Sequence, residues 1–179
     1  MVALITNLMP YGILALQGLA LVLLAGLIFA RESAWVQWVG TNALLFGLLA
    51  TLGAVLGSLF YSNVLGYEPC YLCWWQRTFM YPQLIIFAIA YYYKQTNAFR
   101  YSLALSILGT LVSLYHNFLP YFQSLGLDCG STGPACDKLY VLAFGYITIP
   151  VMSLSVFVIL ILLAVASRSV RLNTQSSNL

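Results

Sequence analysis

The chain has 179 residues, 62% of them hydrophobic, with only seven basic and four acidic side chains and a formal net charge of +3 at pH 7; its mean hydropathy is +0.92. So few charges cannot clothe a soluble surface, which excludes a water-soluble globular domain, and they leave no basic face for a nucleic acid partner. The composition is that of an integral membrane protein.

Apolar runs occupy 11–30, 39–65, 74–93, 101–119 and 141–166. Because about 20 helical residues cross a hydrocarbon layer roughly 30 Å thick, each run predicts one span. Their continuous Leu, Ile, Phe and Ala content lacks the alternation of a membrane barrel, so the expected fold class is all-α, a polytopic membrane helical bundle.

In chain order, residues 1–10 predict a short outer leader, with Pro10 placed to begin the first helix. No basic segment precedes span one and the following RESAWVQW is no cleavage site, so an ordinary span is expected rather than a signal peptide. Trp35 and Trp38 suit an inner interface. Span two carries Gly53 and Gly57 on one helix face, a pattern that serves internal packing as well as dimerisation. Gly66 ends the run, and Pro69 prevents its continuation.

Span three opens at once on a two-cysteine turn, YEPCYLCWWQR, from Tyr67 to Arg77. Trp74 and Trp75 read as interface anchors, and Pro82 predicts a bend that either shapes a cofactor pocket or is a simple kink. Tyr91, Tyr92, Tyr93 and Lys94 mark the inner exit, and span four returns to the outer interface near His116. Residues 120–140 form the one substantial outer loop; it holds Cys129 and Cys136 among Gly130, Gly133 and Pro134, which predict a mobile turn. Span five follows, interrupted at Pro150, and the polar residues after Ser167 read as an inner tail with little structure.

With the N-terminus outside, Arg31, Lys94, Arg100, Arg168 and Arg171 fall inside, and only Arg77 and Lys138 fall outside. That bias satisfies the positive-inside rule and sends the C-terminus to the cytoplasm. It also puts both cysteine pairs in an extracytoplasmic compartment, where thiols can remain paired. Charge and redox chemistry support one topology.

Thiol exchange needs an attacking thiolate, an accessible sulfur and a leaving thiol. Cys73 is expected in the first turn of span three, where unpaired helix amides favour a thiolate and Arg77 adds positive potential. Cys70 is expected to face solvent in the preceding turn. Cys73 is thus the candidate for contact with a membrane electron acceptor, and Cys70 for exchange with the loop pair. An interfacial arginine also serves as a simple anchor, and a lone histidine as a polar packing residue.

These features together resemble the bacterial disulfide-bond formation protein B family, including its BdbC-like members: C-Y-L-C followed by W-W-Q-Arg77, a helical hairpin, His116 near the outer end, and the Cys129/Cys136 loop before the last span. The resemblance covers about residues 39–166. It implies a four-helix redox core in the bacterial inner membrane, which oxidises an extracytoplasmic thioredoxin-like dithiol partner and passes the electrons to a membrane quinone, ubiquinone or menaquinone. Carried over by residue, Cys129 receives the partner's attack, Cys136 communicates with Cys70, Cys73 contacts quinone, and Arg77 helps bind or polarise it, with His116 a further quinone-side residue. No metal is implied. The division expected is an additional N-terminal helix and inner turn over 1–38, the core over 39–166 and the tail over 167–179. The extra helix and a short cysteine loop depart from the longer-loop branch of the family.

Three other readings compete. Vitamin K epoxide reductase-like proteins are also quinone-linked bundles, but their loop cysteines precede the C-x-x-C, the reverse of the order here. Four cysteines on one side can coordinate structural zinc, and two disulfides can simply staple outer loops.

Overall fold

A computed structural model describes residues 2–122 and 140–176. Six α-helices account for nearly all of them: α1 (Val2–Phe29), α2 (Ala34–Thr41), α3 (Ala43–Leu59), α4 (Tyr71–Tyr92), α5 (Ala98–Phe122) and α6 (Ile149–Ser176). A π-helical turn, Phe60–Val64, extends α3. Thr6–Phe29, Ala43–Val64, Ala98–Leu119 and Ile149–Arg171 are each long and apolar enough to cross a membrane. Helix α4 matches them in length, but Gln76, Arg77, Thr78 and Gln83 make it more polar. It packs between α3 and α5, α5 packs on α6, and α1 and α2 lie against α6. The protein is a polytopic membrane helical bundle.

Lipid leaves little hydrophobic drive to bring helices together, so close packing and polar contacts between helices must hold the bundle. Phe87, Phe157 and Leu160 are fully buried at its centre, while Leu19, Leu21, Leu56, Ile85 and Leu111 point outward as an apolar belt. Gln83, also fully buried, accepts hydrogen bonds from Ser102 Oγ (2.7 Å) and Ser106 Oγ (3.1 Å), which locks α4 to α5. At Gly109 a Cβ would overlap the ring of Phe157, so α5 approaches α6 only because this residue is glycine. Gly109→Ala should cost about 1–3 kcal/mol by overpacking and lower the melting temperature in detergent. Gly18→Ala, at an exposed α1 position with open space around it, should not lower it.

Several boundaries differ from the sequence expectation. The first helix begins at Val2 and carries Pro10 within it, so residues 2–10 continue the span rather than lead to it. Residues 39–65 are not one rod. Asn42 separates α2 from α3 because its side chain and that of Thr41 both bond the Trp38 carbonyl, at 2.9 Å each, while the Asn42 carbonyl starts the next helix at Leu45 and Phe46. Residues 141–148 are not helical either: Phe144 and Gly145 have φ of 53° and 78°, and Ala143 pairs with Ile147 across a tight turn. Pro150 therefore sits in the first turn of α6, where a missing amide proton costs nothing, instead of interrupting a span. At the other end α6 runs to Ser176, so most of the expected unstructured tail is helix. Close packing anchors its start, since at Gly40 of α2 a Cβ would lie 2.5 Å from Val170 and 2.8 Å from the Ala166 carbonyl oxygen.

Candidate active site

The cysteine turn is built by the end of one span and the start of the next. Gly66, at φ 68°, takes the left-handed conformation that stops the π turn, and Pro69 blocks helix until Cys70. Cys70 is the N-cap of α4 in extended backbone (φ −70°, ψ 172°), and its carbonyl accepts from Trp74 N–H at 3.2 Å. Cys73 therefore occupies the first helical turn, as expected, and the two sulfurs lie 3.2 Å apart. This spacing suits reversible disulfide formation.

The exposure of the pair is opposite to expectation in one respect. Cys70 does not face solvent: it is 5% exposed and packs with Leu72 and Leu119, whereas Cys73 is only partly buried. The extended N-cap conformation turns the Cys70 side chain beneath the helix start and against α5. Its thiol donates to Cys73 Sγ; that hydrogen bond and burial push its pKa up to about 11, with a smaller opposing effect from His116. A raised thiol pKa keeps the neutral form at lower pH, so in the reduced protein Cys70 should resist alkylation until pH approaches 11. Mass spectrometry of protein alkylated across a pH series would measure this, and full Cys70 labelling at pH 7 would contradict it.

Cys70 and Cys73 open onto a cavity of about 770 Å³, which also takes in Arg77, His116, Tyr61 and Met9 of α1. Pro82 does not line it, and α4 continues unbroken past that residue. Arg77 is held at the cavity by two contacts. Its Nη2 donates to the Ser58 carbonyl at 3.2 Å, and its guanidinium stacks over Trp74 with 5.4 Å from Cζ to the ring centroid. Ser58 lies just before α3 widens into the π turn, where helical carbonyls lose their regular partners and become available. At the same cavity, Tyr61, Tyr67 and Tyr140 stack in series at 6.0 and 4.7 Å between centroids.

His116, near the C-terminal end of α5, is buried between helices. Its Nε2 is 3.8 Å from Cys70 Sγ, and its Nδ1 is 3.1 Å from Gln76 Nε2. Gln76 Oε1 accepts from Ser153 Oγ of α6 at 2.9 Å, and Ser153 Oγ is 3.1 Å from Ser113 Oγ of α5. Sequence reasoning missed Gln76, Ser113, Ser153, Ser58 and Tyr61. The available signal was Gln76 itself, three residues after Cys73 and so on the same face of a membrane helix, where an amide is costly without a partner. Cys129, Cys136 and Lys138 lie outside the described residues.

A family model for disulfide bond formation protein DsbB matches residues 40–167. The chain belongs to the DsbB family. It is 40% identical over 122 residues to a probable disulfide formation protein C of Halalkalibacterium halodurans, covering 66% of this chain and 88% of that protein. It is 36% identical over 117 residues to disulfide bond formation protein C of Bacillus subtilis, covering 64% and 83%, and 35% identical over 133 residues to a probable disulfide formation protein of Metapseudomonas resinovorans, covering 71% and 90%. No solved structure matches. Membership in the DsbB family gives the bundle an oxidoreductase role in general and makes it a polytopic inner-membrane protein. The segment shared with the DsbB family holds α3 to α5, the cysteine turn and α6 as far as Ser167, while α1 and nearly all of α2 precede it.

Proposed function

We propose that the protein is a dithiol:quinone oxidoreductase that reoxidises an extracytoplasmic thioredoxin-like partner. The observation that carries this is a two-cysteine helix start opening, beside a fixed guanidinium, onto a cavity of about 770 Å³ within a membrane bundle. That volume lies in the range of cofactor sites. The residues present fit a quinone ring: Arg77 offers a charged donor, and the buried Tyr61 hydroxyl, which has no hydrogen-bond partner among the described residues, offers a second. A quinone, when bound there, supplies the oxidant by accepting two electrons and two protons.

The chain's own residues handle the thiol exchanges. A partner thiolate attacks Cys129, forming one S–S bond and breaking Cys129–Cys136, so that Cys136 leaves with the electron pair. Cys136 then attacks Cys70, and Cys73 leaves as the thiolate, in the first turn of α4 where helix amides and Arg77 favour negative charge. The partner's second thiolate displaces Cys129 and closes the partner's disulfide, and Cys129 then attacks Cys136, which re-forms the loop disulfide and releases Cys70 with the electron pair. The burial of Cys70 makes the attack by Cys136 depend on close approach of the loop, with few other thiols able to compete. Helix α1 supplies Met9, Ile13 and Leu16 to the cavity wall, and Gln17 ties it to Ser155 at 2.9 Å and to the Tyr146 hydroxyl at 2.8 Å. We assign residues 1–38 to closing the quinone site against lipid, 39–166 to the redox core, and 167–179 to the inner end.

The proposed orientation puts the N-terminus and both cysteine pairs outside and the C-terminus in the cytoplasm. Single cysteines placed at 133 and 175 in intact cells should label from outside and inside respectively, and the reverse pattern would overturn this topology. Turnover tests the reaction: oxidation of a reduced thioredoxin-like protein should require quinone and consume it in equal amount.

One observation favours a second reading. Ligand atoms of Cys70, Cys73 and His116 lie within 4.8 Å of one another, a grouping able to hold zinc. Mass spectrometry before and after reduction separates the two, since the redox reading requires reducible disulfides and the zinc reading requires thiolates with bound metal.

A further inference from the structure

The hydrogen-bonded chain behind Cys70 contains one group whose orientation determines what the sulfur meets. Gln76 is 5% exposed, as is His116, and both ends of its amide are engaged. Neutral imidazole carries a proton on one nitrogen only, and which nitrogen is set by the partner of the other. If the Gln76 amide nitrogen faces Nδ1, then Nδ1 is the acceptor and the proton sits on Nε2, facing Cys70. If the amide is turned over, its oxygen takes a proton from Nδ1 and the bare Nε2 faces the sulfur. The structure holds the first arrangement: the amide nitrogen lies 3.1 Å from Nδ1 and the amide oxygen 2.9 Å from Ser153 Oγ. Ser153 Oγ is also 2.9 Å from the Pro150 carbonyl, so its one proton is shared between two acceptors, while Ser113, 3.1 Å away, can donate to Ser153 in turn.

We propose that Gln76 is a positioning residue which, braced by Ser153, fixes His116 in the Nε2–H tautomer and so points a hydrogen-bond donor at Cys70 Sγ. The sulfur carries negative charge when it leaves a mixed disulfide with the loop, and holds it until the bond to Cys73 re-forms with the two electrons passing to the quinone. Nε2–H stabilises that charge, in a pocket from which water is largely excluded. This inference rests on the redox reading of the cysteine pair, but the tautomer it assigns does not.

The chain has a single histidine, so labelling with ring ¹⁵N-histidine gives one imidazole spin system in the detergent-solubilised full-length protein. At neutral pH and in the neutral imidazole, the parent should show a protonated Nε2 and a bare Nδ1. Gln76→Glu, whose carboxylate only accepts when ionised, should move the proton to Nδ1, and Gln76→Ala should give a mixture of tautomers. With quinone saturating, both variants should slow resolution of a trapped Cys70 mixed disulfide about tenfold, the effect of losing one hydrogen bond to a charged group. Ser153→Ala should produce the same shift toward a mixture in smaller measure. A bare Nε2 in the parent, or an unchanged tautomer in Gln76→Glu, would overturn the assignment whatever the turnover results. A tautomer that shifts as described, in protein that shows no thiol exchange at all, would leave the Gln76 geometry standing and remove the redox reading instead.

Discussion

Cys73→Ser should abolish steady-state quinone reduction while leaving a partner adduct on the outer loop. Cys73 lies in the first turn of α4 and lines the cavity, and its sulfur is 3.2 Å from that of Cys70, so in the proposed relay it is the sulfur that holds the electron pair beside the quinone. Serine keeps the size and the backbone but cannot carry the pair or re-form the bond to Cys70. The expected loss is complete rather than partial, because no other described cysteine reaches the site. In purified Cys73→Ser, partner adducts identified by peptide mass spectrometry should still form at Cys129. Replacing Cys129 should do the opposite, removing the first adduct while quinone still binds. Normal quinone reduction without Cys73, or an obligatory first adduct at Cys70 with Cys129 intact, would end this division of labour. A first adduct at Cys136 would keep the enzyme class and reverse the entry half of the relay.

Arg77→Ala should weaken quinone use by about ten- to a hundredfold in kcat/KM, the range expected for one hydrogen bond to a charged group, with exchange between protein disulfides changed far less. The selectivity follows from geometry. Arg77 is fixed by the Ser58 carbonyl and the Trp74 ring at the cavity, whereas the Cys70 sulfur makes its polar side-chain contacts with Cys73 and His116. Arg77→Lys should recover only part of the loss, since a lysine ammonium cannot keep both the planar stacking and the forked donors. Equal losses in quinone use and in protein disulfide exchange would show that Arg77 acts by holding the fold instead.

The turn and the bundle were legible in the sequence because their signals are local. Pro69 before a C-x-x-C and an apolar run placed Cys73 in the first turn of α4, and uninterrupted apolar content marked the spans. The burial of Cys70 was not legible, because it depends on Leu119 arriving from α5 to cover it. The partners of His116 were hidden for the same reason: Gln76, Ser113 and Ser153 come from three helices, and no spacing in one segment reveals their convergence. Residues 141–148 were read as span because hydropathy sees Val141, Leu142 and Ile147 but not the left-handed backbone at Phe144 and Gly145. Thr41 and Asn42 broke the second run through side-chain bonds to Trp38, a competition that an apolar average conceals.

The proposed relay is tested most directly by reconstituting the purified protein in lipid with a reduced thioredoxin-like partner and following quinone absorbance and partner thiols together. One quinone should be reduced for each partner disulfide formed, at a rate that vanishes in Cys73→Ser and falls steeply in Arg77→Ala. Partner oxidation that proceeds at the same rate without quinone, or continues in Cys73→Ser, would contradict it.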